Sequence, residues 1–258
     1  MLIVHMLRMK SIRIAVSCCG DVLRMPSARG RVSAGLSRAL SKATVGLKLA
    51  EALRCERSAI ICVWRDIRRG DWEIFNVENT SRFHAATVRP LMASRMAQVI
   101  RLDNQAVEAA AKAAPERLKA MQQLEELIQN ERDGGAGEWR SLSQRWAPDP
   151  FALLPAFSRA AQSYASAKAD VRSLEAAIAL RNYRIDKKRL ATDFEELVPE
   201  YLPRAPRDPF TGGELRFRRE GGYVTVYSVG PNRRDDGGQL ESGPDDRMAP
   251  DIGVRIAE

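Results

Sequence analysis

The sequence predicts an α+β fold, in which a helical N-terminal region precedes a module of one helix packed on a three-stranded antiparallel sheet. Two observations carry this prediction. Between residues 45 and 185, apolar residues recur every three or four positions, as they do on one face of an α-helix. Beyond residue 210 they alternate with polar residues instead, and glycines and prolines separate the alternating runs, as in strands joined by turns.

The pattern divides the 258 residues into three parts. Residues 1–45 are rich in Arg, Ser, Gly and Ala with weak periodicity, and they predict a flexible basic arm. Residues 46–150 predict a helical hairpin or small bundle with a linker at its end. Residues 151–258 predict the α+β module. A chain of this length can give each of the two folded parts a core of its own.

The net charge of +8 is concentrated near the N terminus. Residues 1–70 hold fourteen Lys and Arg against four Asp and Glu, so the remainder of the chain is slightly acidic. A basic stretch suits nucleic acid or an anionic membrane surface. Residues 1–60, however, contain no aromatic side chain that could stack on a base. Nucleic-acid binding through residues 1–70 is therefore the alternative hypothesis rather than the leading one.

The N-terminal residues do not have the pattern of a signal peptide or a membrane anchor. Arg8, Lys10 and Arg13 interrupt the apolar runs, whereas a spanning helix needs about 20 predominantly apolar residues. We expect a location in the cell envelope, or at a membrane, if an apolar anchor precedes Met1, and a cytoplasmic location otherwise. The four cysteines form no C-x-x-C pair, so reduced thiols are favoured over zinc.

Three long helical patterns follow one another. The first begins at Val45 and ends near Gly70, a residue type that commonly follows a helix. The second covers residues 87–130, and Pro115 is expected to break or kink it. The third covers residues 160–185. Their apolar stripes are interpreted as core positions.

A short helix and three strands complete the predicted module. Thr192 and Glu195 have the spacing of a capping box at the start of the short helix, which Pro199 ends. Period-two alternation then predicts three strands, marked by Leu215 and Phe217, by residues 223–229, and by Ile252, Val254 and Ile256. The turn "REGG" joins the first two strands as a hairpin.

The sequence contains no recognisable catalytic constellation. His5 and His84 do not have the spacing of a metal site or a triad, and the phosphate-loop, dinucleotide and nucleophile-elbow motifs are absent. The adjacent carboxylates Glu195 and Glu196 are interpreted as a solvated helix face and its cap. We therefore predict no catalytic residues and no organic cofactor.

The C-terminal third resembles the soluble domain of the major pseudopilin of the type II secretion system. The resemblance covers about residues 168–256 and lies in "AIALRNYRIDKKRLATDFEELVPEYLP", "PRDPFTGGELRFRR", "YVTVYSVGPN" and "PDIGVRI". The same ending is similar to modules of large uncharacterised bacterial envelope proteins. The chain departs from pseudopilins in its N-terminal part, where charged helical sequence takes the place of their long apolar helix.

The resemblance implies a calcium site in the loop before the last strand. Calcium accepts six to eight oxygen ligands in flexible geometry, which suits such a loop. The candidate ligands in this sequence are Asn232, Asp235, Asp236, Asp245, Asp246 and Asp251. Solvated aspartates in turns and a phosphate-binding loop are the alternatives from the residues alone.

The leading hypothesis is a non-enzymatic structural or interaction protein of the bacterial envelope. It would carry a pseudopilin-like C-terminal domain, with calcium as its candidate ligand. Its expected partners are other envelope or secretion-system proteins.

Overall fold

The computed structural model describes residues 2–24, 48–69, 82–134, 150–240 and 251–257, together with residues 36, 39 and 42. It confirms the predicted α+β class, since helices precede an antiparallel sheet at the C-terminal end. The elements are α1 (Leu2–Arg24), α2 (Leu49–Arg69), α3 (Arg82–Ala111), α4 (Glu116–Gly134), α5 (Phe157–Lys187), β1 (Arg216–Glu220), β2 (Tyr223–Ser228) and β3 (Ile252–Ala257), with 3-10 turns at Pro150–Leu153 and Glu195–Leu197.

The chain divides into two compact units. The first contains Met1–Ile3 and Leu49–Ala161, and the second contains Val4–Lys48 and Gln162–Glu258. The boundary between the two units lies within α5, after Ala161, and not at residue 150 as predicted. The first five residues of this continuous helix therefore belong to the first unit.

Helices α2, α3 and α4 are the main described elements of the first unit. Helix α2 packs on α3, and α3 packs on α4. Their buried apolar residues recur at helical spacing, as the sequence predicts. These residues are Leu49, Leu53, Ile60, Met92, Met96, Val99, Leu102, Ala106, Leu118, Met121, Leu124 and Ile128.

The break between α3 and α4 lies where Pro115 predicts it. Arg117 stabilises this corner, because its Nε donates to the carbonyl of Ala110 at 2.9 Å and its Nη2 donates to that of Lys112 at 2.7 Å. Carbonyls at the end of a helix have no partner within the helix, so a basic side chain that reaches them stabilises the helix end.

The second unit contains the sheet, with strand order β1-β2-β3 and antiparallel pairing throughout. The strands agree with the predicted ones, and β2 is central. Gly221 and Gly222 connect β1 to β2 with φ angles of +59° and +80°, the left-handed conformation that a two-residue hairpin turn requires. The predicted hairpin is therefore confirmed.

Helix α5 supplies most of the helical face that covers the sheet. The core of this unit includes Val171, Leu174, Ile178 and Leu180 from α5, and Val224, Val226, Val254 and Ile256 from the sheet. Val16 and Leu23 of α1 belong to the same core. The face of β2 and β3 that carries these residues is thus removed from water by two helices.

Residues 2–24 differ from the flexible arm expected for residues 1–45. They form α1, whose buried residues Met9, Val16 and Leu23 recur every seven positions and therefore lie on one face. The basic residues that interrupt the apolar runs in the sequence lie on the exposed part of the helix. No described helix is both long enough and apolar enough to cross a membrane.

The predicted short helix is reduced to the 3-10 turn Glu195–Leu197. Glu196, rather than the expected Glu195, takes the part of the glutamate in the capping contacts. Asp193 accepts the N–H of Glu196 at 3.0 Å, and the Glu196 carboxylate accepts the N–H of Thr192 at 2.8 Å. Tyr183 and Arg189 also donate to Glu196, which explains why this glutamate and not its neighbour turns inward.

Asp103 is a buried carboxylate in the first unit with an expected effect on stability. It is fully buried on α3, and neither of its oxygens has a hydrogen-bond partner among the described residues. Burial raises the pKa of Asp103 to about 6, while Arg57 acts to lower it and Glu56 to raise it. The folded state therefore favours the protonated acid.

We predict that Asp103→Asn stabilises the protein at pH 7.5, where the wild-type carboxylate is ionised, by about 2 kcal/mol. Because folding raises the pKa of Asp103, this carboxyl group stabilises the folded state below its unfolded pKa of 3.8. The stabilisation is lost as the pH rises through about 6. The advantage of the variant should therefore shrink at pH 5. Urea unfolding of both proteins at the two pH values measures it, and an equal difference at both would contradict the prediction.

Candidate functional site

The turn before β1 is organised by the side chain of Asp208, which is 2% exposed. Its Oδ1 accepts the N–H of Phe210 at 2.7 Å and the hydroxyl of Ser228 at 2.9 Å. Its Oδ2 accepts the N–H of Val229 at 3.0 Å. One carboxylate thus joins the turn to the end of β2, and hydrogen bonds from several donors compensate for its burial.

The loop after β2 folds through short side-chain to backbone contacts. The Oδ1 of Asn232 accepts the N–H of Arg234 at 2.9 Å, and the Nδ2 of Asn232 donates to Oδ2 of Asp236 at 2.7 Å. Gly237 and Gly238 have φ angles of +74° and +81°, which side chains rarely tolerate. These contacts explain why turn residues are so dense in this part of the sequence.

Asp235 connects this loop to the sheet. Its Oδ1 accepts the hydroxyl of Tyr227 at 3.0 Å and the N–H of Gly237 at 3.0 Å, and its Oδ2 forms an ion pair with Arg216. Although burial acts to raise the pKa of Asp235, the three donors lower it overall. Burial and the bond to Asp235 raise the pKa of Tyr227 to about 12.

Asp251 lies directly before β3 and is 2% exposed. Its Oδ2 accepts the N–H of Gly238 at 2.7 Å, whereas its Oδ1 is buried without a hydrogen-bond partner among the described residues. Burial raises the pKa of Asp251, the N–H groups of Gly238 and Asp236 act to lower it, and the carboxylates of Asp236 and Asp235 act to raise it. A buried oxygen without a donor is a costly arrangement unless a further group satisfies it.

Four of the six predicted calcium ligands lie among the residues that the structure describes. Asn232 contacts Asp236, and the peptide group of Gly238 links Asp251 to the same loop. Asp245 and Asp246 lie outside the described residues. Within the described part of the chain, no three Asp, Glu, His or Cys side chains are grouped as a metal site.

Asp208 and Tyr227 were not among the predicted site residues. The sequence "DPFTGG" carries a signal for Asp208, because an aspartate before such a turn commonly accepts backbone N–H groups. Its contact with Ser228 joins residues 20 positions apart, and local pattern does not predict that contact.

Comparison with known protein families, with curated proteins and with solved structures finds no match to this chain.

We predict that Asp208→Asn lowers the free energy of unfolding by about 2–3 kcal/mol, because an amide nitrogen would replace one of two buried acceptor oxygens. Ser228→Ala removes the hydroxyl that donates to Asp208 and accepts the N–H of Gly230, but it places no new donor against a buried N–H, and it should cost about 1 kcal/mol. Urea unfolding measures both. Glu220→Gln, at a side chain 70% exposed, is the control and should change stability by less than about 0.5 kcal/mol. An Asp208→Asn protein as stable as this control would contradict the role given to the carboxylate.

Proposed function

We propose that this chain is a non-enzymatic structural or interaction protein of the bacterial envelope, and that its second unit is a pseudopilin-like module stabilised by calcium. Three features support the proposal. A long helix covers a three-stranded antiparallel sheet, an Asp-Pro turn precedes the first strand, and an aspartate-rich loop precedes the last strand. They occur in the order in which the sequence resembles that family.

The observation that carries the calcium proposal is the orphaned oxygen of Asp251. Oδ1 of Asp251 is buried without a donor among the described residues, while Oδ2 accepts the N–H of Gly238, so the carboxylate is only partly compensated. Burial is the largest cause of the raised pKa of Asp251, and repulsion from the nearby carboxylates of Asp236 and Asp235 raises it further. A bound cation would satisfy the oxygen and offset this repulsion, and calcium is the cation that prefers such carboxylate and carbonyl oxygens.

The candidate ligands differ in how readily they would serve calcium. Asp251 offers Oδ1, and Asp236 offers the carboxylate oxygen that does not contact Asn232. Asp235 is a poorer candidate because Arg216 already neutralises it. Calcium needs six to eight oxygens, so backbone carbonyls, water, and Asp245 and Asp246 are expected to complete the set.

We predict that calcium raises the unfolding temperature of the full chain relative to a chelator, because a ligand that binds only the native state stabilises it. The stabilisation is about 2.7 kcal/mol when the free ligand is at 100 times its Kd. Thermal unfolding at millimolar calcium, at millimolar magnesium and with chelator measures the effect. Equal midpoints with calcium and with chelator would remove the calcium proposal.

The variant Asp251→Asn tests the ligand assignment. It keeps the size of the side chain but removes the charge, so the calcium-dependent shift should be lost. Glu220→Gln removes a charge from an exposed position on β1 and is the matched control. A calcium shift that persists in Asp251→Asn, or that disappears in Glu220→Gln as well, contradicts the assignment.

Nucleic-acid binding is the second candidate function. It is favoured by the exposure of Arg8, Lys10, Arg13 and Arg24 on α1. Contacts with phosphates release counterions, so the affinity for duplex DNA should then fall steeply with added salt. Titration of a labelled duplex at low and at physiological salt measures it, and the absence of binding at low salt would eliminate this candidate.

A further inference from the structure

A pocket in the second unit lies between α1, α5 and β3, away from the aspartate-rich loop. It has a volume of about 360 Å³, within the range of small-molecule sites. Helix α1 contributes Lys10, Arg13, Ser17, Gly20 and Arg24, which recur every three or four residues and so share one side of the helix. Asp170 of α5 and Gly253 of β3 also line it.

Two glycines shape the pocket. Gly20 lets α1 approach β3 closely, since a Cβ at this position would lie 3.1 Å from Cγ1 of Val254. A Cβ at Gly253 would lie 2.1 Å from the carbonyl oxygen of Val226, so no side chain can project from this strand position. At Gly253, therefore, the backbone of β3 lines the pocket.

The charges around the pocket are unequal. Among the described residues of the lining, Lys10, Arg13 and Arg24 contribute three positive charges and Asp170 one negative charge, which leaves an excess of two positive charges. The Nε of Arg13 donates to Oδ2 of Asp170 at 2.7 Å, and this pair fixes the orientation of the guanidinium. The terminal nitrogens of Arg13 carry four further N–H donors.

Lys10 and Arg24 hold the other two positive charges. Lys10 forms no ion pair or hydrogen bond with another described residue. Arg24 donates from Nε to the carbonyl of Arg255 at 3.3 Å and approaches the exposed Asp21 at 3.5 Å. Such a contact between exposed side chains neutralises Arg24 only weakly.

Apolar side chains complete the lining. Val16 and Val254 are buried beside the pocket, and Ile14 is 56% exposed on α1. A few charged groups around an apolar surface are typical of sites for small molecules. The part of the lining that the structure describes has no aromatic side chain on which a base could stack.

We propose that this pocket binds a small dianion, whose negatively charged oxygens contact Lys10 and Arg13 beside the apolar side chains of the lining. The two negative charges complement the excess positive charge of the lining. Dicarboxylates and phosphates share this chemistry. The proposal goes beyond the proposed function and does not depend on the calcium site.

Isothermal titration of the full chain with succinate, with inorganic phosphate and with acetate tests the proposal. We expect succinate or phosphate to bind at millimolar concentrations or below, and the tighter of the two identifies the preferred acidic group. Acetate, which has one charge, should bind at least about tenfold more weakly. Failure of both dianions to bind at about 10 mM, or equal binding of acetate, would overturn the proposal.

Two pairs of variants distinguish binding in the pocket from binding to the general positive charge of α1. Lys10→Met should weaken binding about tenfold, whereas Arg8→Met, which removes a charge from the same helix outside the pocket, should leave it within about twofold. Ser17→Glu should abolish binding by repulsion. Its control is Ser11→Glu, at an exposed residue of α1 outside the lining.

All four positions are exposed, so the variants should fold, and circular dichroism verifies this. Equal losses in Lys10→Met and Arg8→Met would show that affinity follows net charge and would overturn the pocket as the site. Unchanged binding in Ser17→Glu would overturn it too.

Discussion

The second unit depends on the buried carboxylate of Asp208. This single side chain holds the turn before β1 and the end of β2 together through donors from both segments. Because a charge without partners inside a protein is very costly, either segment can leave its position only by exposing the carboxylate to water or by orphaning it. The loop that begins at Val229 therefore starts from a fixed point, and Asp235 and Asp251 are positioned relative to that point.

The sheet could be predicted from the sequence because its signals are local. Alternation of apolar and polar residues marks each strand, and two adjacent glycines mark the hairpin turn. The same holds for the break at Pro115, since proline cannot continue a helix without losing a hydrogen bond. Helix α1 was not predicted, because its buried positions are seven residues apart and charged residues lie between them. Its core face becomes apparent only when the residues are placed on a helix.

The sequence predicts which residues the loop of the candidate site contains, but not which residues they contact. The density of aspartates and glycines indicates a folded loop before β3, and the structure places Asn232, Asp235 and Asp236 in that loop. The partners of these residues depend on the tertiary structure. Arg216 and Tyr227 reach Asp235 from two neighbouring strands, and nothing in the local sequence shows that the charge of Asp235 is neutralised there. The pocket beside α1 likewise combines residues about 150–240 positions apart in the chain.

The tight turn at Gly221 and Gly222 has a consequence for the order of folding. Strands β1 and β2 are contiguous apart from this turn, so their hairpin can form within microseconds of collapse. Strand β3 pairs with β2 only after the chain from 229 to 251 has closed into a loop, at an entropic cost that the hairpin does not bear. We therefore expect the hairpin to form first and β3 to be added to it last.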